Sequence, residues 1–274
     1  MKIISMKTVF AIGVSATVLL CVSFQATASP VVPDAFWQAV LHNGSTTGGQ
    51  SQTTVGGSTS LSSGALSATA TGTLQPTLLP SISGTASVTN GSGNASASVF
   101  AEIFFSVSGP TGFQVPIIVT ANGAITQSLI TPNNAQLFLG TPSAVALIAS
   151  ACLPAHGNLC TGLSNQSSFS IANTFLVTSD QQDNLQLSLF VNANTLFIPG
   201  GGTDTQSGFI DPMITIDPTY EFADLFSIVT SSNVGNSSAA TPLPAALPLF
   251  ASGLGTLGLL GWRRKKKTAA LLRK

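Results

Sequence analysis

The chain is 274 residues long, 44% hydrophobic and only 7% charged, and its formal net charge of zero conceals a sharp partition. All nine Lys and Arg residues lie at the two ends, whereas all nine carboxylates lie between Asp34 and Asp224. Residues 29–241 therefore combine nine acidic side chains with no Lys or Arg, a charge that repels phosphate backbones and argues against nucleic acid as a partner.

In chain order the first element reads as a leader. MKIISMK carries Lys2 and Lys7, TVFAIGVSATVLLCVSF is apolar, and Ala26-Thr27-Ala28 supplies the small residues that a signal peptidase requires. This pattern predicts a signal peptide over 1–28, cleaved between Ala28 and Ser29, with an uncleaved anchor as the alternative. Residues 29–73 follow as a Gly/Ser/Thr-rich segment. Over 44–73, 22 of 30 residues are Gly, Ser or Thr, a composition that predicts a linker with little burial. Within it, Ala65 to Thr71 alternates small apolar and hydroxyl residues and suits an edge strand.

Period-two alternation then dominates. Ile82, Gly84, Ala86 and Val88 form one row, and Ala95, Ala97, Val99, Ala101, Ile103, Phe105 and Val107 form another. Phe100 and Phe104 interrupt the polar row of the second run, which predicts a partly covered outer face. Asn90-Gly91-Ser92-Gly93 between the two runs predicts a hairpin. Further strands are expected over Phe113–Val119, Phe169–Val177, Leu185–Val191, Met213–Ile216 and Phe226–Thr230, and a short helix fits Ser143–Cys152. Many short strands with Gly, Asn and Pro between them predict an all-β domain over 74–230. The expected fold is a single β-sandwich, with a jelly roll as one way to wind it. A polar linker, 231–241, follows.

Few residues of this domain offer chemistry. Cys152 and Cys160 enclose LPAHGNL. In an oxidising compartment they are expected to pair, whereas a metal bound by Cys152, His156 and Cys160 lacks a fourth ligand and has Pro154 and Gly157 against the helix it needs. Asp211 and Asp217, each followed by Pro, are about 20 Å apart on an extended strand. They are expected to bound a strand and not to share a calcium ion. His42 and His156 are the only histidines, with no G-x-S-x-G elbow beside either, so no Ser-His-Asp site is expected. Glu102 and Glu221 are the only glutamates and the one pair on which a glycosidase would draw. No catalytic residue, metal site or cofactor is assigned. Asn43, Asn90, Asn94, Asn165 and Asn236 stand in N-x-S/T sequons, a number that a chain rich in Ser and Thr reaches by chance.

The end of the chain is the most informative stretch. TPLPAALPLFASGLGTLGLLGWRRKKK contains an uncharged run, 243–262, long enough at about 1.5 Å per residue to cross a hydrocarbon core of about 30 Å. Arg263, Arg264, Lys265, Lys266 and Lys267 follow it and predict a cytoplasmic end, with a basic tail to residue 274. This tripartite order, over 242–267, resembles the PEP-CTERM sorting signal, with Pro242, Leu243 and Pro244 standing where the family's Pro-Glu-Pro usually does. GFIDPMITIDPTYEFADLFSIV also resembles a segment that recurs before such tails. The resemblance implies export across the inner membrane of a Gram-negative bacterium and transient anchoring there. It also implies processing by an exosortase, release to the surface or outside the cell, and association with exopolysaccharide in a biofilm or matrix. The function expected on these grounds is a non-enzymatic surface or matrix protein. A secreted polysaccharide hydrolase and a permanently anchored envelope protein are the alternatives.

Overall fold

The structure, a computed structural model, describes residues 31–126, 132–153, 160, 163–196, 198 and 200–236. The leader with its Ala28–Ser29 cleavage site, the sorting motif Pro242, Leu243 and Pro244, the run 243–262 and the basic cluster lie outside the described residues. Among the described residues no helix is long and apolar enough to cross a membrane.

Among the described residues, thirteen antiparallel strands form two sheets. The first contains β1 (Phe36–Asn43), β2 (Thr46–Thr53), β6 (Asn94–Ser108), β8 (Asn133–Thr141), β9 (Ala144–Leu153) and β11 (Gln182–Asn194) in the order β2-β1-β6-β11-β8-β9. The short β13 (Ser227–Thr230) continues the line of β1 along the same long strand, β6. The second sheet contains β3 (Gly57–Ser63), β4 (Leu66–Thr73), β5 (Ser81–Gly91), β7 (Gln114–Ile125), β10 (Ser168–Thr178) and β12 (Gly202–Ile216) in the order β10-β7-β12-β5-β4-β3. The pairings are nested: β8 with β9, β7 with β10, β6 with β11 and β5 with β12.

The core lies between the sheets, and the alternating rows fill it. Ile103, Phe105, Leu185, Leu187 and Leu189 point inward from one sheet, and Ile82, Ile117 and Ile210 from the other. Trp37 is the largest buried side chain among the described residues. It fits because Gly72 on β4 leaves room: a Cβ there would stand 2.3 Å from the indole ring. The indole N–H donates to the carbonyl of Val55 at 2.9 Å, so the polar edge of the ring is satisfied.

Several expectations change. Residues 44–73 are not a linker: they supply β2, β3 and β4, and Ala68 and Ala70 belong to the core. Composition misled because small inward residues are what a large opposing Trp needs, and Thr suits a pleated surface. The stretch 143–152 is not helical. It forms β9, whose pairing with β8 overrides the helix propensity of its alanines. Asn90 to Gly93 does not close a hairpin, because β5 and β6 lie in different sheets and pack face to face. Alternation fixes which residues point inward but not which sheet a strand joins. Asp211-Pro212 lies inside β12, beyond Ile210, the last residue paired with β5, where no N–H is required on that side. Asp217-Pro218 does end the strand: Asp217 Oδ1 accepts from the Thr219 amide at 2.8 Å. The start of the polar linker is also part of the fold. Ser231 and Val234 are buried, and Asn233 Nδ2 donates to the carbonyls of Ala35 and Thr54, each at 2.7 Å.

Candidate functional site

The outer face of the first sheet gathers side chains from four strands. Cross-strand partners point to the same side of a sheet, so the register defines rows. One row runs Phe36, Glu102, Gln186, Phe138 across β1, β6, β11 and β8. The next runs Gln38, Phe100, Ser188, Gln136, and a third runs Val40, Ser98, Phe190, Asn134. The face is thus a grid of phenyl rings, amides and hydroxyls around one carboxylate.

Its centre is held by local contacts. Phe36 lies 6.1 Å from Phe100 and 6.4 Å from Phe104, ring centre to ring centre, in tilted geometry. Glu102 sits between these rings and accepts hydrogen bonds from Asn184 Nδ2 and, at 3.5 Å, from Gln186 Nε2. The rings are half-buried, so each keeps one side or edge available. Phenyl faces accommodate the C–H side of a sugar ring, and amides and a carboxylate exchange hydrogen bonds with its hydroxyls.

The residues singled out in the sequence meet different fates. Cys152 and Cys160 form a disulfide, with a Cα–Cα distance of 5.8 Å. The bond removes both thiolates that a metal would use, and its loop contributes about 2.5 kcal/mol in the chain-entropy model. His156 lies outside the described residues. Among the described residues no group of three His, Cys, Asp or Glu side chains is placed to hold a metal ion. Asp211 accepts from the Asn122 amide at 3.0 Å, and Asp217 is engaged by Thr219. The Thr219 hydroxyl, followed by its amide, holds the Asp217 carboxyl below the usual range. Glu102 lies in the sheet face, whereas Glu221 is exposed in the turn after β12. Positions opposite and two residues along from Glu102 carry Phe36, Gln186, Phe100 and Phe104, with no second carboxylate. The aromatic segment 220–226 serves packing: Tyr220 stands edge-on to Phe222 at 5.7 Å, and Phe226 stacks near both Tyr220 and Phe113. Of the sequons, Asn43 is only 3% exposed and closed to glycan attachment.

Sequence reasoning missed two groups. Phe36, Phe138 and Phe190 join Phe100 and Phe104 only through register; the interrupted polar row of β6 was the available signal. Asn133, wholly buried, donates to the Thr126 carbonyl at 2.7 Å and accepts from the Asn192 amide at 2.8 Å, tying β8 to β11. A lone Asn in an alternating strand gives no sign of such a role.

No family model matches the chain. No curated protein matches it either. Among solved structures, one described as the structure of infectious bursal disease virus Gt strain aligns with 86% of this chain and 70% of its own. Identity is 11% and the TM-score 0.18, a likeness too slight to bear on fold or function.

Proposed function

We propose that the chain is an exported, non-enzymatic cell-surface or extracellular-matrix protein, sorted through its C-terminal signal by an exosortase and associated with exopolysaccharide. The observation that carries the polysaccharide contact is the outer face of β1, β6, β11 and β8. Phenyl rings and amides cover it without a fixed cation, which suits an extended neutral or weakly basic glycan and not an acidic polymer. Glu102 fits as a hydroxyl acceptor, because two amides already hold it in the sheet face. The nested pairing of β5 to β12 supports reading the sandwich as a jelly roll, a winding suited to presenting broad sheet faces. Sorting rests on the tail alone, on Pro242-Leu243-Pro244, the apolar run and the basic cluster.

Two experiments test this. The mature chain, recovered from envelope and extracellular fractions, is weighed and its ends mapped with Asp-N or chymotrypsin, because trypsin has no site between Ser29 and Trp262. A chain beginning at Ser29 and ending near Pro242 outside the cell is expected; one retaining 243–274 in the inner membrane would overturn exosortase sorting. Affinity electrophoresis through gels containing the host's exopolysaccharide tests the contact, and unretarded migration would remove it.

A further inference from the structure

A cleft of about 380 Å³ opens at one end of the sandwich, lined by none of the residues in the outer-face rows just described. It lies where the starts of β7 and β11 meet the end of β10 and the turn between β8 and β9. Gln114, Thr141, Ser143, Thr178 and Leu176 line it, and so does Asp183. The walls are neutral except at Asp183. That residue is 3% exposed, and its Oδ2 is buried without a hydrogen-bond partner. The surrounding groups bond among themselves. Gln114 Nε2 donates to Thr178 Oγ1 at 2.7 Å, and Thr141 Oγ1 lies 3.3 Å from Ser143 Oγ. A buried carboxylate left unpaired is costly, and this chain has no Lys or Arg between residues 8 and 262 to approach it.

We propose that this cleft binds an amino sugar, whose ammonium group pairs with the Asp183 carboxylate while its hydroxyls meet Gln114, Thr141, Ser143 and Thr178. The inference deepens the polysaccharide reading by naming a glycan with free amines. It rests on that reading for the polymer, not for the cleft. Three features select the ligand. A single carboxylate matches a single cation; a calcium ion wants six or more converging oxygens, usually with several carboxylates. The volume is that of a sugar ring with some water, far more than an ion fills. Leu176, 64% exposed, and Pro142 offer the apolar wall against which the C–H face of a pyranose lies.

Protonation tunes the site. Burial pushes the Asp183 carboxyl up to about 6. The lining contributed by β7, β10 and the β8–β9 turn includes no other titratable group, and the facing positions of β6, Phe105 and Val107, are apolar. The nearest carboxylate along the chain, Asp180, accepts from Thr111 Oγ1 at 2.7 Å. Affinity for an amine should therefore fall as pH drops through about 6.

The test is calorimetric titration of the full-length chain at pH 7.5 with glucosamine, and with glucose and calcium chloride for comparison. Glucosamine is expected to bind with one site per chain and glucose at least about tenfold more weakly, the margin set by one charged hydrogen bond. Asp183→Asn, nearly isosteric, is expected to weaken glucosamine by about ten- to hundredfold while the protein stays folded. Leu176→Ala, at an exposed position, should cost a few-fold. Equal binding of the two sugars, no binding of glucosamine, unchanged binding by the Asn variant, or displacement of glucosamine by calcium would each overturn the assignment. Retention in an exopolysaccharide gel by the Asp183→Asn chain would still uphold the sheet-face contact, so the two ideas can fail separately.

Discussion

The two sheets bury similar residues and show opposite outer faces. Outward from the first stand Phe36, Phe100, Phe138 and Phe190 among Gln, Asn and Ser, with Glu102 at the centre. Outward from the β12, β5, β4 and β3 part of the second, the rows Ser62-Ser67-Ser87-Thr205, Ser60-Thr69-Thr85-Ser207 and Ser58-Thr71-Ser83-Phe209 form a band of hydroxyls broken by a single ring, whereas β7 and β10 add Pro116, Ile118 and Leu176. These hydroxyls satisfy one another, as Ser87 and Thr205 do at 2.9 Å. Inward positions are bound by packing and converge on Ala, Val, Ile and Leu. Outward positions are free of that demand, so a difference between the faces reflects what each meets. Hydroxyls near water need no partner, whereas half-exposed phenyl rings gather best where something apolar will lie on them.

The strongest way to test the shared interior is at the place where the sheets touch through Trp37 and Gly72. Trp37→Ala is expected to cost about 3–5 kcal/mol through the cavity left behind. Gly72→Ala should cost about 1–3 kcal/mol, because its methyl meets the indole ring and not a flexible chain end. Urea denaturation measures both. If Gly72→Ala proved neutral, the two sheets would not be closely fitted there.

A second pair of variants separates the faces. Phe100→Ala with Phe138→Ala should reduce retention in an exopolysaccharide gel by about tenfold or more, on the scale of two lost ring contacts. Thr85→Ala with Thr205→Ala should leave retention unchanged. Equal losses would mean that the polysaccharide does not distinguish the faces.

What was legible beforehand follows the same division. The inward rows of β5 and β6 stood out because strict alternation over many residues has one physical meaning. The sheet to which each belongs did not, since Asn90 to Gly93 reads the same whether the chain turns back in one sheet or crosses to the other. The aromatic face escaped because Phe36 and Phe138 are far apart in sequence and share a row across β6 and β11 only after pairing. Asp183 escaped for a related reason. Its place just before Leu185, Leu187 and Leu189 puts it on their inward face, but only the fold reveals that no partner awaits it. Residues 44–73 were obscured by composition, whose small side chains signal flexibility alone and complementarity once Trp37 lies opposite.

Asp183 also gives the comparison a pH axis. Its carboxyl titrates near 6 in the folded chain against 3.8 ordinarily, so the folded state holds the proton more tightly. Below the lower value both states are protonated and the group is silent. As pH rises from there through about 6, the unfolded chain releases its proton first and stability falls; above it the loss is complete. Asp183→Asn should therefore gain on the order of 1–2 kcal/mol at pH 8 and nothing near pH 3, read from melting temperatures. A gain that did not vary with pH would mean that the carboxylate is not buried in solution.

The smallest expected effect lies on the hydroxyl face, and its smallness is informative. Thr85→Val removes the contact of its hydroxyl with Thr69 Oγ1 at 2.5 Å, yet both groups are open to water, which replaces the lost partner. Valine keeps the β-branched shape that suits the strand. Stability should change by less than about 0.5 kcal/mol, as for most surface substitutions. Retention in the polysaccharide gel should not change either. A loss well beyond that figure in chemical denaturation would show that the hydroxyl rows act as a cooperative network holding the sheet. They would then be structure in their own right, and the contrast between an aromatic face and a merely solvated one would have to be redrawn.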